Sequence, residues 1–142
     1  MLRISHAQHA ILAAARRRQT IDLLCAHLRD HFAADLAGMG QHALRRRVVL
    51  AVRRAAAYGL ATPRDYCRYL NLAATYGWDF DTHPAHAWMH ACLADPQVGD
   101  PGQRLARLVD QCLYRERVAR HNRALRQPGP AFEQSPGEHD GQ

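Results

Sequence analysis

Residues 55–90 read AAAYGLATPRDYCRYLNLAATYGWDFDTHPAHAWMH, one helix ending, a second complete and a third beginning. Gly59 stands where a helix C-terminus needs a left-handed residue, and Thr62 followed by Pro63 supplies an N-cap with proline in the first helical position. Asp65, three residues past the cap, places a negative charge on the first turn, where the helix dipole favours it. Tyr66, Leu70 and Ala73 then recur at helical spacing, leaving Arg64, Arg68, Asn71 and Thr75 for solvent, and Gly77 closes a helix over 63–76. After Trp78-Asp79-Phe80-Asp81, His83-Pro84 restarts a helix carrying Trp88, Met89, Cys92 and Leu93, until Asp95-Pro96 breaks it.

Outward from that stretch the same punctuation recurs. Ser5 with Gln8 forms a capping box at the head of a helix near 6–32, whose core stripe is Ile21, Leu24, Cys25, Leu28 and Phe32. Ala7, Ala10 or Ile11, and Ala14 extend that stripe backward. Gly38 and Gly40 mark a turn, with a short helical turn around Leu36. A helix over 41–58 follows, burying Leu44, Val48, Ala51, Val52 and Ala55, with Arg45, Arg46, Arg53 and Arg54 mostly off that face. Asp100, Pro101 and Gln103 repeat the cap and proline arrangement for a last helix over 101–126, which uses Leu105, Leu108, Val109 and Cys112, and then Val118 and Leu125 more weakly. The tail QPGPAFEQSPGEHDGQ, residues 127–142, has the composition of a disordered segment. No strand-like alternation and no repeat is evident, so the expected fold is all-α: a single-domain bundle of about five helices over 1–126 with short Gly/Pro turns.

The chain has 142 residues, a hydrophobic fraction of 47% and a formal net charge of +6. That is one domain's worth of chain, with enough apolar residues for a core. No early apolar run is long enough for a signal peptide or a membrane span, so a soluble cytoplasmic protein with no membrane partner is expected. The four cysteines show no CxxC spacing and fall at or beside apolar helical positions, as reduced packing residues do. All 19 basic residues are arginine. Residues 1–60 carry +7, residues 61–100 carry −3, residues 101–126 carry +5 and the last sixteen −3. Basic outer helices around an acidic middle can steer an acidic partner.

These residues offer four chemistries. His83, His86 and His90 with Asp79 and Asp81 have some metal-ligand character, because positions 86 and 90 share a helix face; HAWMH, however, lacks the glutamate of HExxH, and His27 with His31 offers only a bare pair. Arg45, Arg46, Arg53 and Arg54 are the candidate nucleic-acid contacts, although the helix after the Gly59 turn lacks the side chains of a recognition helix. Catalysis has no support from motif, with no GxSxG, no glycine-rich phosphate loop and three Glu in all. No enzyme activity and no cofactor are expected. Aromatics and arginine are enriched at binding hot spots, and Tyr58, Tyr69, Trp78, Asp79, Phe80, Asp81 and Trp88 are the candidate partner-binding residues.

Arg53-Arg54-Ala55, Ala57-Tyr58-Gly59-Leu60, Thr62-Pro63-Arg64-Asp65, the Leu70–Leu72 stretch, Gly77-Trp78-Asp79-Phe80-Asp81 and Trp88 together resemble a group of small helical bacterial proteins. That group is often encoded beside type VI secretion spike and effector genes. The resemblance covers roughly residues 1–113 and rests on turns and caps. It implies an accessory, adaptor or chaperone role toward a secretion effector or spike component, and it supplies no catalytic residues.

Overall fold

A computed structural model describes residues 5–127. The fold is all-α, with α1 at His6–His31, α2 at Gln41–Ala57, α3 at Pro63–Tyr76, α4 at Ala87–Ala94 and α5 at Pro101–Arg126, and a 3-10 turn at Pro84–His86 leading into α4. No strand occurs among the described residues. The tail expected to be disordered lies, from residue 128 onward, outside them. The chain divides within α5, into residues 1–109 and 110–142.

In residues 1–109, α2 packs on α1 and α3, and α1 also packs on α3. Leu28, Leu44, Val48, Leu70 and Phe80 are fully enclosed at the centre. Burial of this kind is worth about 1.5–3 kcal/mol for each large apolar side chain. Arginine closes the connection after α1. Arg29 donates from Nη1 to the Leu36 carbonyl at 3.1 Å and from Nη2 to that of Met39 at 2.6 Å, holding the turn over 33–38.

The helix ends follow from local chemistry. Ser5 and Gln8 form the reciprocal capping box, and Thr62 Oγ1 accepts from the Asp65 amide at 3.1 Å. Asp100 and Gln103 exchange two backbone-to-side-chain bonds at 2.8 Å. At the end of α2 the Leu60 amide donates to the Ala55 carbonyl and the Gly59 amide to that of Ala56, a Schellman motif that requires positive φ at its glycine. Gly59 has φ 94°, and a Cβ built there would lie 2.7 Å from Pro101 Cγ.

Three expectations are corrected. The α1 stripe does not extend backward, since Ala7, Ala10 and Ile11 are exposed and only Ala14 is half-buried. Periodicity identifies a face, but nothing among the described residues covers this one. Asn71, read as solvent-facing, instead hydrogen-bonds His27 Nε2 at 2.9 Å. Arg54, read as lying off the packed face, is half-buried and bonded. Within residues 110–127 Cys112 is buried, and every residue from Leu113 to Gln127 is exposed.

Candidate functional site

Gly77, at φ 118°, turns the chain out of α3. The next four residues alternate in environment. Phe80 enters the core beside the Tyr69 ring, with centroids 5.1 Å apart, and Asp81 is 4% exposed. Trp78 remains half-buried and Asp79 exposed, on the outer side of the loop. Arg54 of α2 fixes this arrangement, with Nη1 donating to the Trp78 carbonyl at 3.0 Å and to Asp81 Oδ1 at 3.2 Å.

Beside that anchor is an open groove of about 710 Å³, lined on α2 by Arg47, Leu50, Ala51, Arg53, Arg54 and Ala57 and on the loop by Trp78 and Asp79. The Arg47 guanidinium carbon stands 5.8 Å from the Trp78 ring centroid, within cation-π range. Leu50 is 57% exposed. Arg54 is neutralised by Asp81, so Arg47 and Arg53 give the groove its positive charge, with Asp79 as the opposing charge. The lining thus offers an aromatic face, an aliphatic surface and two guanidinium groups.

Beside the groove a polar cluster runs from buried Asp81 through half-buried Tyr58 to exposed His90. Tyr58 Oη is 3.0 Å from Asp81 Oδ2 and 2.9 Å from His90 Nδ1. Burial, then the hydrogen bond to Asp81 and its charge, push the Tyr58 phenol well above the ordinary tyrosine range, and Arg54 offsets part of this. Burial and the Asp81 charge raise Tyr69 likewise. The Tyr69 hydroxyl is buried, and its nearest polar influence is the Asp81 carboxylate. Both rings are held as neutral phenols around one carboxylate.

Of the seven partner-binding candidates, only Trp78 and Asp79 line the groove. Tyr69, Phe80 and Asp81 are corrected to interior residues, because Phe80 and Tyr69 pack ring to ring and Asp81 is taken up by Arg54 and Tyr58. Tyr58 and Trp88 are half-buried away from it. The four arginines do not form one patch. Arg45 pairs with Asp22, Arg54 pairs with Asp81, Arg53 lines the groove and Arg46 is exposed.

The histidines are likewise dispersed in role. His83 Nδ1 accepts from the Ala85 amide as a cap, the His86 ring lies 5.9 Å from Tyr76, and His90 turns to Tyr58. Among the described residues, no group of three or more His, Cys, Asp or Glu is placed to hold a metal ion. No disulfide joins the four cysteines. Sequence reading missed Arg47 and Leu50; the available signal was an aliphatic residue standing among arginines, outside the α2 core stripe.

No protein-family model matches this chain, and no curated protein or solved structure matches it.

Proposed function

We propose that this chain is a non-enzymatic accessory protein of the adaptor or chaperone kind, holding a segment of a protein partner in the groove between α2 and the Gly77–Asp81 loop. One observation carries the reading: Trp78, with the Arg47 guanidinium over its ring, and the exposed Leu50 line one groove together with Arg53. Tryptophan and arginine are the residue types that dominate binding hot spots, and an aliphatic neighbour supplies area to desolvate. The charge of the groove suits a segment that carries carboxylates beside an apolar side chain. The resemblance carried by the 53–81 turns supports a type VI secretion effector or spike component as the partner. No helix among the described residues is long and apolar enough to cross a membrane, and the reading requires no membrane partner.

Co-purification from the native host tests it, with bound proteins identified by mass spectrometry and the Leu50→Asp, Trp78→Ala double variant run in parallel. The expected result is a secretion effector or spike component on the wild type and a loss of about tenfold or more on the variant. Retention of nucleic acid with no protein, or equal capture by the variant, overturns the reading.

A further inference from the structure

The distal part of α5 has a second surface, chemically distinct from the groove. Tyr114, Val118, His121 and Leu125 follow one another at intervals of four, three and four residues. At about 100° per residue they fall within an arc of about 60°. Tyr114 is 60%, Val118 39% and Leu125 71% exposed, and His121 is exposed as well. This is the a/d spacing of a coiled-coil seam, left without a partner among the described residues. Around the remainder of the helix stand Arg115, Arg117, Arg120, Arg123 and Arg126. Against them residues 110–126 place only Asp110 and Glu116.

We infer that this face of α5 is a docking site for an acidic amphipathic helix of a partner protein. Apolar side chains at the a and d positions of such a helix cover Tyr114, Val118 and Leu125, and its carboxylates at the flanking positions meet the arginines. Charge decides among occupants. A second copy of this chain would set five more arginines against the first five, a like-charge arrangement that coiled coils use to reject a pairing. A nucleic-acid duplex would neutralise the arginines yet leave the seam in water. A partner helix also accounts for the helix itself, because a solvated stretch of this length has marginal helical stability unless an apolar face is covered.

The test uses the full chain and a synthetic peptide of about three heptads with Leu at a and d and Glu at e and g. Backbone amide NMR is expected to show perturbations confined to residues 110–126, and the Val118→Asp, Leu125→Asp variant to bind at least about tenfold more weakly. Both substituted side chains are exposed, and circular dichroism checks that the helix is kept, so that a loss of binding reads the seam. Arg117→Glu with Ala124→Glu makes one flank acidic and is expected to shift the preference toward the same peptide with Lys at e and g. Absence of binding overturns the inference, as does equal binding of the Lys peptide by the wild type. Self-association through residues 114–125 in sedimentation, or displacement of the Glu peptide by duplex RNA, overturns it too.

Discussion

Tyr58 donates its phenol proton to Asp81, 3.0 Å away, and thereby joins the end of α2 to a loop 23 residues further along. A phenol has one proton, and a carboxylate only accepts. His90 Nδ1, 2.9 Å from the same oxygen, must therefore carry its own proton and donate it. The neutral His90 ring is thus the Nδ1–H tautomer, with its basic nitrogen at Nε2. Nitrogen-15 NMR of a histidine-labelled sample should show that tautomer in the wild type, and a Tyr58→Phe variant should lose the preference. A predominantly Nε2–H ring in the wild type would contradict the network.

The stability held in this cluster is measurable. Asp81 is buried and accepts two hydrogen bonds, and Tyr58→Phe leaves one carboxylate oxygen without its phenol. Hydrogen bonds to charged groups contribute about 1.5–3 kcal/mol, and a loss of that size is expected in urea unfolding. Asp81→Ala should cost somewhat more, but not the full penalty of a broken interior ion pair, since the Arg54 side chain is 42% exposed and water can solvate it. The double variant should fall short of the sum by at least about 0.5 kcal/mol. Simple additivity would show that the two residues do not share the interaction.

Alkaline pH attacks the same place. The folded-state pKa of Tyr58 and of Tyr69 lies above the unfolded value, so the folded protein holds these protons more tightly. Their contribution is complete below about pH 10 and is lost as pH rises from there through the folded values. Burial also raises the Cys25 and Cys67 thiols, which act in the same direction from about pH 8.5 upward. Of the five tyrosines, two should ionise only together with the loss of far-ultraviolet ellipticity. Full tyrosinate absorbance with native ellipticity would refute this.

Gly59→Ala should destabilise on two independent counts. Its φ of 94° is unfavourable for any residue with a Cβ, at about 1–2 kcal/mol, and the new methyl meets the Pro101 ring, a rigid group, at 2.7 Å. A loss of about 2–3 kcal/mol is expected, distinctly larger than for Gly38→Ala, where a Cβ meets nothing within 4 Å. Equal effects at the two glycines would remove the Pro101 contact from the account.

The residues that were legible in the sequence are those whose partners are close in the chain. Ser5 with Gln8, Thr62 with Asp65 and Asp100 with Gln103 each act over three residues, so the helix starts at 6, 63 and 101 follow from spacing alone. The groove and the cluster beside it depend on contacts across much longer separations. Asp81 resembles its neighbour Asp79 in sequence, and Arg54 and Tyr58, 27 and 23 residues earlier, make one an interior residue while the other stays on the surface. Asn71 meets His27 across 44 residues, which no helical wheel can show. Ala7 and Ile11 failed for the converse reason, because a good stripe does not guarantee that anything packs on it.

Partner binding should separate arginines that sequence reading grouped together. Arg47 and Arg53 face the groove, whereas Arg45 is held by Asp22 on α1 and Arg46 is exposed outside the lining. Arg47→Ala with Arg53→Ala should weaken capture of a protein partner by about tenfold or more, through loss of the cation over Trp78 and of the charge beside Leu50. Arg45→Ala with Arg46→Ala should change it by less than about threefold, since an exposed ion pair such as Arg45–Asp22 contributes about 0–1 kcal/mol even to folding. Nucleic-acid binding makes the opposite forecast: comparable losses from both pairs, and an affinity that falls steeply with salt because binding releases counterions from the phosphates. A salt titration of the two double variants decides between them, and equal losses with a steep salt slope would overturn the protein-binding reading of the groove.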